Sequence, residues 1–203
     1  MDNLKCIRPT WEEMVRYAKI VTDKIRKSKY RPDLIVAVSR GGLVPARILC
    51  DLLVIKNCLS MKVDHWGITA TKDGKAKISY GLNISLSGKK VLLVDDITDT
   101  GQSMEISKLH LLGLNPDKLK TATLIHLTNS KYVPDYYGHE REWAWIVFPW
   151  NMHEDLVNLI KKLGYEGKTT ELIQKELKKK FDLDASSEEI QDSLERIKYL
   201  ELA

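Results

Sequence analysis

The chain has 203 residues, 43% hydrophobic and 30% charged, with 32 Lys and Arg against 28 Asp and Glu. That mixture excludes an intrinsically disordered chain, and no apolar stretch approaches the roughly 18–20 residues that span a bilayer. Three cysteines (Cys6, Cys50, Cys58) without C-x-x-C spacing exclude a disulfide framework and a zinc cluster, and no apolar leader follows Met1, so a cytoplasmic protein with no membrane partner is expected.

The net charge of +4 is unevenly spread. Residues 152–203 hold nine Lys/Arg and twelve Asp/Glu, a net of −3, which leaves 23 bases and 16 acids, a net of +7, on residues 1–151. A basic body of this kind suits an anionic ligand.

Thr10 and Glu13 have capping-box spacing, and Met14, Tyr17, Ala18, Val21 and Ile25 then recur at helical intervals. After Arg31-Pro32 the continuous apolar run Leu34 to Val38 reads as a strand buried on both faces. A Gly-Gly turn follows, with Pro45 near the start of a helix reaching about Leu53. Residues 67–90 are rich in Gly, Lys, Ser and Thr, long for a connection, and read as a functional lid or a hairpin. The strand–turn–helix grammar repeats at Val91–Val94 and about Gln102 to Leu112, closed by Gly113. Thr121–Leu127 reads as a third strand and Trp145–Phe148 as a fourth. The alternation implies an α/β domain with a mostly parallel central sheet flanked by helices. Beyond Trp150, residues 154–163, 169–181 and 186–200 read as three amphipathic helices, the last opened by a Ser186/Glu189 capping box. The expected division is therefore a body of residues 1–151 and a helical appendage of residues 152–203.

The run Val91-Leu92-Leu93-Val94-Asp95-Asp96-Ile97-Thr98-Asp99-Thr100-Gly101-Gln102-Ser103 carries the strongest chemistry. A buried strand ends in two carboxylates, and a short loop of small hydroxyl residues then opens a helix. Backbone amides at a helix start, beside the hydroxyls of Thr98, Thr100 and Ser103, can hold a phosphate, and Gly101 lets the backbone approach it. Asp95 and Asp96 suit sugar hydroxyls and Mg²⁺, which prefers oxygen ligands. A solvated N-cap cluster would account for a lone Asp-Asp, but not for three acids, three hydroxyls and a glycine in thirteen residues. Ser39-Arg40-Gly41-Gly42, after the first strand, is a second anion nest with a guanidinium fork beside it.

These runs resemble the signature of type I phosphoribosyltransferases, which bind 5-phosphoribosyl-1-pyrophosphate (PRPP), and no Walker A loop or G-x-G-x-x-G competes with it. The resemblance covers about residues 10–151 and is nearest the purine branch, of the xanthine–guanine or hypoxanthine archaeal or bacterial type. It implies that residues 98–103 (Thr98, Asp99, Thr100, Gly101, Gln102, Ser103) hold the 5′-phosphate. Asp95 and Asp96 then contact the ribose and Mg²⁺, and Asp99 acts as general acid or base. Ser39, Arg40, Gly41 and Gly42 are implied to bind pyrophosphate, together with a cation of the 67–90 loop, where Lys72, Lys75 and Lys77 stand.

The stretch Trp143 to Trp150 resembles the hood strand of the xanthine–guanine enzymes, with Trp145 and Ile146 holding the purine; Ile97, His126 and Leu127 complete the implied base site. Enzymes for 6-oxopurines carry a Lys at the end of the strand before Pro-Asp-Tyr, whereas here His126-Leu127-Thr128 precedes Pro134-Asp135-Tyr136. A neutral His or a carbonyl accepts a hydrogen bond where Lys only donates, so adenine is the expected base, with Lys131 the group that would restore a 6-oxopurine contact. The expected reaction takes a purine base and PRPP to the nucleoside 5′-monophosphate and pyrophosphate. The alternatives are a 6-oxopurine enzyme and, in another class, a non-catalytic PRPP-sensing regulator. The acidic tail argues against nucleic acid as a partner, and a homodimer or higher homo-oligomer is expected.

Overall fold

A computed structural model describes residues 4–65 and 76–202. The chain divides into two compact units, one of residues 12–143 and one that joins residues 1–11 to residues 144–203. The expected division after residue 151 differs from this: the compact units part between Trp143 and Ala144, so the segment around Trp145 shares a unit with the C-terminal helices.

The larger unit is built on a six-stranded sheet. Its elements are α1 (Trp11–Lys27), which begins at the edge of the other unit, β2 (Leu34–Ser39), α2 (Leu43–Leu53), β3 (Cys58–His65), β4 (Ala76–Tyr80), β5 (Lys90–Thr98), α3 (Gln102–Leu112), β6 (Lys118–Leu127) and β7 (Tyr136–Arg141); β1 (Cys6–Ile7) belongs to the smaller unit. The strand order is β4-β3-β2-β5-β6-β7, all neighbours parallel except the β3–β4 pair. Leu34, Val36 and Val38 of β2 and Val91 and Leu93 of β5 pack in one core with Met104 and Leu111 of α3. Their alternates Ile35, Ala37, Leu92 and Val94 are equally buried. Burial on both faces explains why these strands read as continuous apolar runs.

The topology matters for the site. The crossover through α2 carries the chain from β2 outward to β3, and the crossover through α3 carries it from β5 outward to β6 on the other side. The order therefore reverses between β2 and β5, and a doubly wound sheet opens a crevice beyond the carboxyl ends of the strands at such a point. Both phosphate-type turns of the sequence, residues 39–42 and 98–101, leave from those two ends.

In the smaller unit, β1 pairs in parallel with the two-residue β8 (Trp145–Ile146), Cys6 opposite Trp145 and Ile7 opposite Ile146. This corrects the expectation of a fourth sheet strand over Trp145–Phe148: the pairing partner lies near the start of the chain, and only two residues pair. Three helices follow, α4 (Met152–Leu163), α5 (Thr170–Phe181) and α6 (Ser187–Glu201). Cys6 and Val147 are buried with Leu156, Ile160, Ile173, Leu177, Ile190 and Ile197 in a core of their own. The Ser186/Glu189 capping box is formed, and Arg8 pairs with that same Glu189, tying the segment after β1 to the start of α6. Among the described residues no helix is long and apolar enough to cross a membrane.

Candidate functional site

Asp95 and Asp96 are carried by the last residues of β5, and both are buried. The Asp95 carboxylate accepts a hydrogen bond from the Asp96 amide at 2.9 Å. Burial, and then the neighbouring Asp96 charge, push the Asp95 carboxyl well above the usual range, and the amide bond opposes them. Two adjacent carboxylates in a medium of low dielectric attract a cation strongly. Among the described residues no cluster of three or more acidic, His or Cys side chains could cage a metal. A pair of carboxylates fits Mg²⁺ all the same, because that ion takes one or two protein oxygens and completes its shell with water and substrate phosphates.

The Ser39–Gly42 turn is brought against this pair. A Cβ placed on Gly41 would collide with all three terminal atoms of the Asp96 carboxylate, so the carboxylate lies directly on the turn's backbone. Gly42 is as tightly enclosed, by the Val94 and Val38 backbone. Its amide donates to the Val38 carbonyl at 2.8 Å, and the Leu43 amide donates to the Arg40 carbonyl at 3.2 Å. The Ser39–Arg40 peptide is cis.

On the other side of Asp95 and Asp96 the loop 99–101 turns into α3. Gly101 is the N-cap of that helix with φ of 85°, a conformation that favours glycine. A Cβ there would strike Tyr132 and stand 3.0 Å from the Ser130 hydroxyl. The turn after β6 thus braces the loop, and Ser130 and Tyr132 are parts of the site that sequence reasoning missed. The only signal was their position after the third strand of a parallel sheet, whose carboxyl end had to face the same way. Asp99 and Thr100 are half-buried in this loop, and Ser103 lies in the first turn of α3. The Thr100 hydroxyl accepts from the Gln102 amide at 3.4 Å. The Gln102 side-chain oxygen accepts from the Ala76 amide at 3.2 Å, so this residue also ties α3 to the start of β4.

Thr98 differs from the expectation that its hydroxyl opens onto a phosphate. It is 1% exposed, and its hydroxyl is bonded to His126 Nδ1 at 2.8 Å. His126, opposite it on β6, is itself buried beside the Tyr137 ring. Burial lowers the imidazole's pKa against a raising contribution from Glu140, so the ring is neutral at pH 7. His126 thus spends one ring nitrogen on Thr98. Leu127 is buried one residue further on, and Ile97 is partly exposed on β5.

Of the loop cations, Lys72 and Lys75 lie outside the described residues, and Lys77 stands on β4 opposite Asp64 of β3. Trp145 and Ile146 lie in the smaller unit. Trp145 is half-buried against that unit's core, and its indole Nε1 donates to Asp155 Oδ1 at 3.0 Å. Asp155 Oδ2 accepts from Asn151 Nδ2 at 3.1 Å. Burial pushes the Asp155 carboxyl up to about 6, against the two donors.

The family described as the phosphoribosyl transferase domain matches residues 10–156. The xanthine-guanine phosphoribosyltransferase of Idiomarina loihiensis is 30% identical over 146 residues, 71% of this chain and 86% of that protein. A purine phosphoribosyltransferase from Pyrococcus horikoshii aligns with a TM-score of 0.63 and 32% identity, over 71% of this chain and 93% of the other. The xanthine-guanine-hypoxanthine phosphoribosyltransferase of Helicobacter pylori shares the fold, with a TM-score of 0.63 and 24% identity over 78% of this chain and 99% of its own. None of these relatives is named for adenine, and His126, the residue on which that preference was argued, is buried and bonded to Thr98. The expectation of adenine is therefore withdrawn. With the switch-point crevice, the paired carboxylates and the two glycine turns in place, the match over residues 10–156 makes this chain an enzyme of the type I phosphoribosyltransferase family, on its purine branch.

Proposed function

We propose that this enzyme transfers the phosphoribosyl group of PRPP to a 6-oxopurine. The observation that carries the reading is the seating of the Asp96 carboxylate on Gly41, which puts the acidic pair and the anion turn in one place. PRPP offers complementary chemistry, a sugar with hydroxyl groups between a monophosphate and a pyrophosphate. The amides of loop 99–101 and the start of α3 take the 5′-phosphate, with the Thr100 and Ser103 hydroxyls. The Ser39–Gly42 turn and Arg40 take the pyrophosphate.

In the reaction a ring nitrogen of the base bonds to the anomeric carbon as the bond from that carbon to pyrophosphate breaks. Positive charge develops on the ribose ring, and the buried Asp95–Asp96 pair stabilises it. Asp99 accepts the proton that the base nitrogen loses. Mg²⁺, held by the same two carboxylates and substrate oxygens, would neutralise charge on the departing pyrophosphate. Lys131 supplies the donor for a base oxygen. Its chain neighbours Ser130 and Tyr132 stand against Gly101, so the turn that carries this cation lies against the phosphate loop.

The test is pyrophosphate release from PRPP and Mg²⁺ with guanine, hypoxanthine, xanthine, adenine and uracil in parallel. Release is expected to be fastest with one of the three 6-oxopurines. Adenine ahead of all three would overturn the base assignment, and no release with any base would overturn the transfer reaction.

A further inference from the structure

Cys50 and Cys58 are the two cysteines of the larger unit, and the proposed transfer reaction uses neither. Cys50 is buried in the last turn of α2, and Cys58 is the exposed first residue of β3. The turn between them brings them together. Val54, at the C-cap of α2, takes the left-handed conformation with φ of 58°, and the Ile55 amide donates to the Cys50 carbonyl at 2.8 Å. The chain thus folds back past Cys50 before it enters β3. A cavity of about 390 Å³ is lined by both cysteines, with Arg47, Asp51 and Lys56. The two side chains are hydrogen-bonded to each other. Burial, then the Cys58 charge, then that bond push the Cys50 thiol well above its usual range, with Arg47 opposing. Cys50 therefore keeps its proton at neutral pH. One sulfur faces solvent and a second, sheltered one touches it, which is the arrangement of an oxidisable thiol and its resolving partner.

We propose that Cys50 and Cys58 are a reversible redox pair, which closes to a disulfide when the protein meets a hydroperoxide and so spares Cys58 irreversible oxidation. In the first step the Cys58 sulfur, as thiolate, bonds to one peroxide oxygen and the O–O bond breaks. The departing oxygen takes up a proton, as water when the oxidant is hydrogen peroxide, and Cys58 is left as a sulfenic acid. In the second step the Cys50 sulfur bonds to the Cys58 sulfur, its S–H bond breaks, and its proton leaves with the displaced hydroxide as water. The two thiols together give up two electrons, and the peroxide accepts them. The product needs about 2 Å between the sulfurs and Cβ atoms roughly 3.5–4.5 Å apart, an approach open to two side chains already in hydrogen-bond contact. The odd cysteine count and the missing C-x-x-C spacing exclude a permanent disulfide framework. A bond that forms only on oxidation, and that a dithiol reopens, lies outside that exclusion. The bridge would stand at the C-terminal end of α2, whereas the Ser39–Gly42 turn precedes its other end, so transfer activity is expected to survive closure.

Hydrogen peroxide treatment of the full chain, followed by denaturation, alkylation and peptide mass mapping, tests this in the parent, Cys50→Ser and Cys58→Ser. The parent is expected to lose two of its three thiols, to yield a linked Cys50–Cys58 peptide lighter by two hydrogens, and to regain all three thiols with dithiothreitol. Cys50→Ser has no resolving thiol, so its Cys58 is expected to go on to the sulfinic or sulfonic acid and to stay blocked under dithiothreitol. Cys58→Ser is expected to keep both remaining thiols, because Cys6 and Cys50 are buried. Oxygen added to Cys58 in the parent as fast as in Cys50→Ser, with no linked peptide, would overturn the pairing. A Cys58–Cys58 link between two copies of the chain would overturn it as well. If pyrophosphate release fell in step with disulfide formation and returned with dithiothreitol, the bridge would be a switch, and the protective role would be overturned.

Discussion

A methyl group added at Gly41 would land on the Asp96 carboxylate, and the neighbouring atoms are the terminal oxygens that the proposed chemistry uses. Those oxygens sit at the end of a strand packed in the sheet, so they have little room to move aside except by turning away from the ribose and metal position. Gly41→Ala is therefore expected to lower kcat/KM for PRPP at least 100-fold, about 2.7 kcal/mol of transition-state stabilisation, while the folded state persists. Pyrophosphate release and far-ultraviolet circular dichroism together check it, and a variant with nearly full activity would show that Asp96 can be displaced without consequence. At this scale the sequence was informative where several residue types served one purpose. The acids, hydroxyls and glycine of residues 95–103 were legible together, and so was the Gly-Gly turn. The role of Thr98 was not: its hydroxyl looks like its neighbours in sequence, and only the strand register shows that it faces His126 across to β6 instead of the loop.

Between elements, that same contact links the carboxyl ends of β5 and β6 at the point where the phosphate loop leaves the sheet. Both partners are buried, and the imidazole is neutral because burial disfavours its charge. Replacing Thr98 by Val keeps the shape and removes the hydroxyl, leaving a buried ring nitrogen unpaired. The expected cost is about 1–3 kcal/mol in urea unfolding, with no shift in the circular dichroism of the native state. A variant as stable as the parent would mean that water or a ring flip replaces the bond without loss. The elements themselves were unevenly legible. The runs in β2 and β5 were plain because both faces are buried, and α3 was read with the ends it has. The strands β3 and β7 were missed because each is half polar: β3 buries Met61 and Val63 between exposed or partly exposed neighbours, and β7 reads Tyr-Tyr-Gly-His-Glu-Arg at the sheet edge. Aromatic and β-branched residues at 145–148 signalled a strand, but a local pattern cannot name a partner, and the partner is β1 near the opposite end of the sequence.

For the chain as a whole, a buried carboxylate and two ion-paired ones make stability depend on pH in opposite ways. Asp155 has its carboxyl pushed up to about 6 by burial, from a usual 3.8. A raised folded value means that the unfolded chain gives up the proton more readily, so this contribution is full at low pH and is lost as pH rises through about 6. Glu189 is held down by its bond to Arg8, and Asp135 is held down because its bonds from Lys120 and Thr121 outweigh its burial. Those two contribute above the usual carboxylate range and lose their contribution as pH falls through their folded values. Stability is therefore expected to rise by about 1–2 kcal/mol from Asp155 alone as pH falls from about 7.5 to about 5, and to decline again below roughly 4.5 as the two ion-paired acids are protonated. Asp155→Asn keeps the hydrogen bonds and removes the titration. Urea unfolding of the parent and of Asp155→Asn between about pH 4 and pH 8 separates the contributions. The variant is expected to be the more stable protein at pH 7.5, with the gap closing toward pH 5, and both proteins are expected to weaken together at the acid end. Parallel curves across the range would show that Asp155 does not titrate there, and that the carboxylate holding the Trp145 indole is ionised in the folded chain throughout.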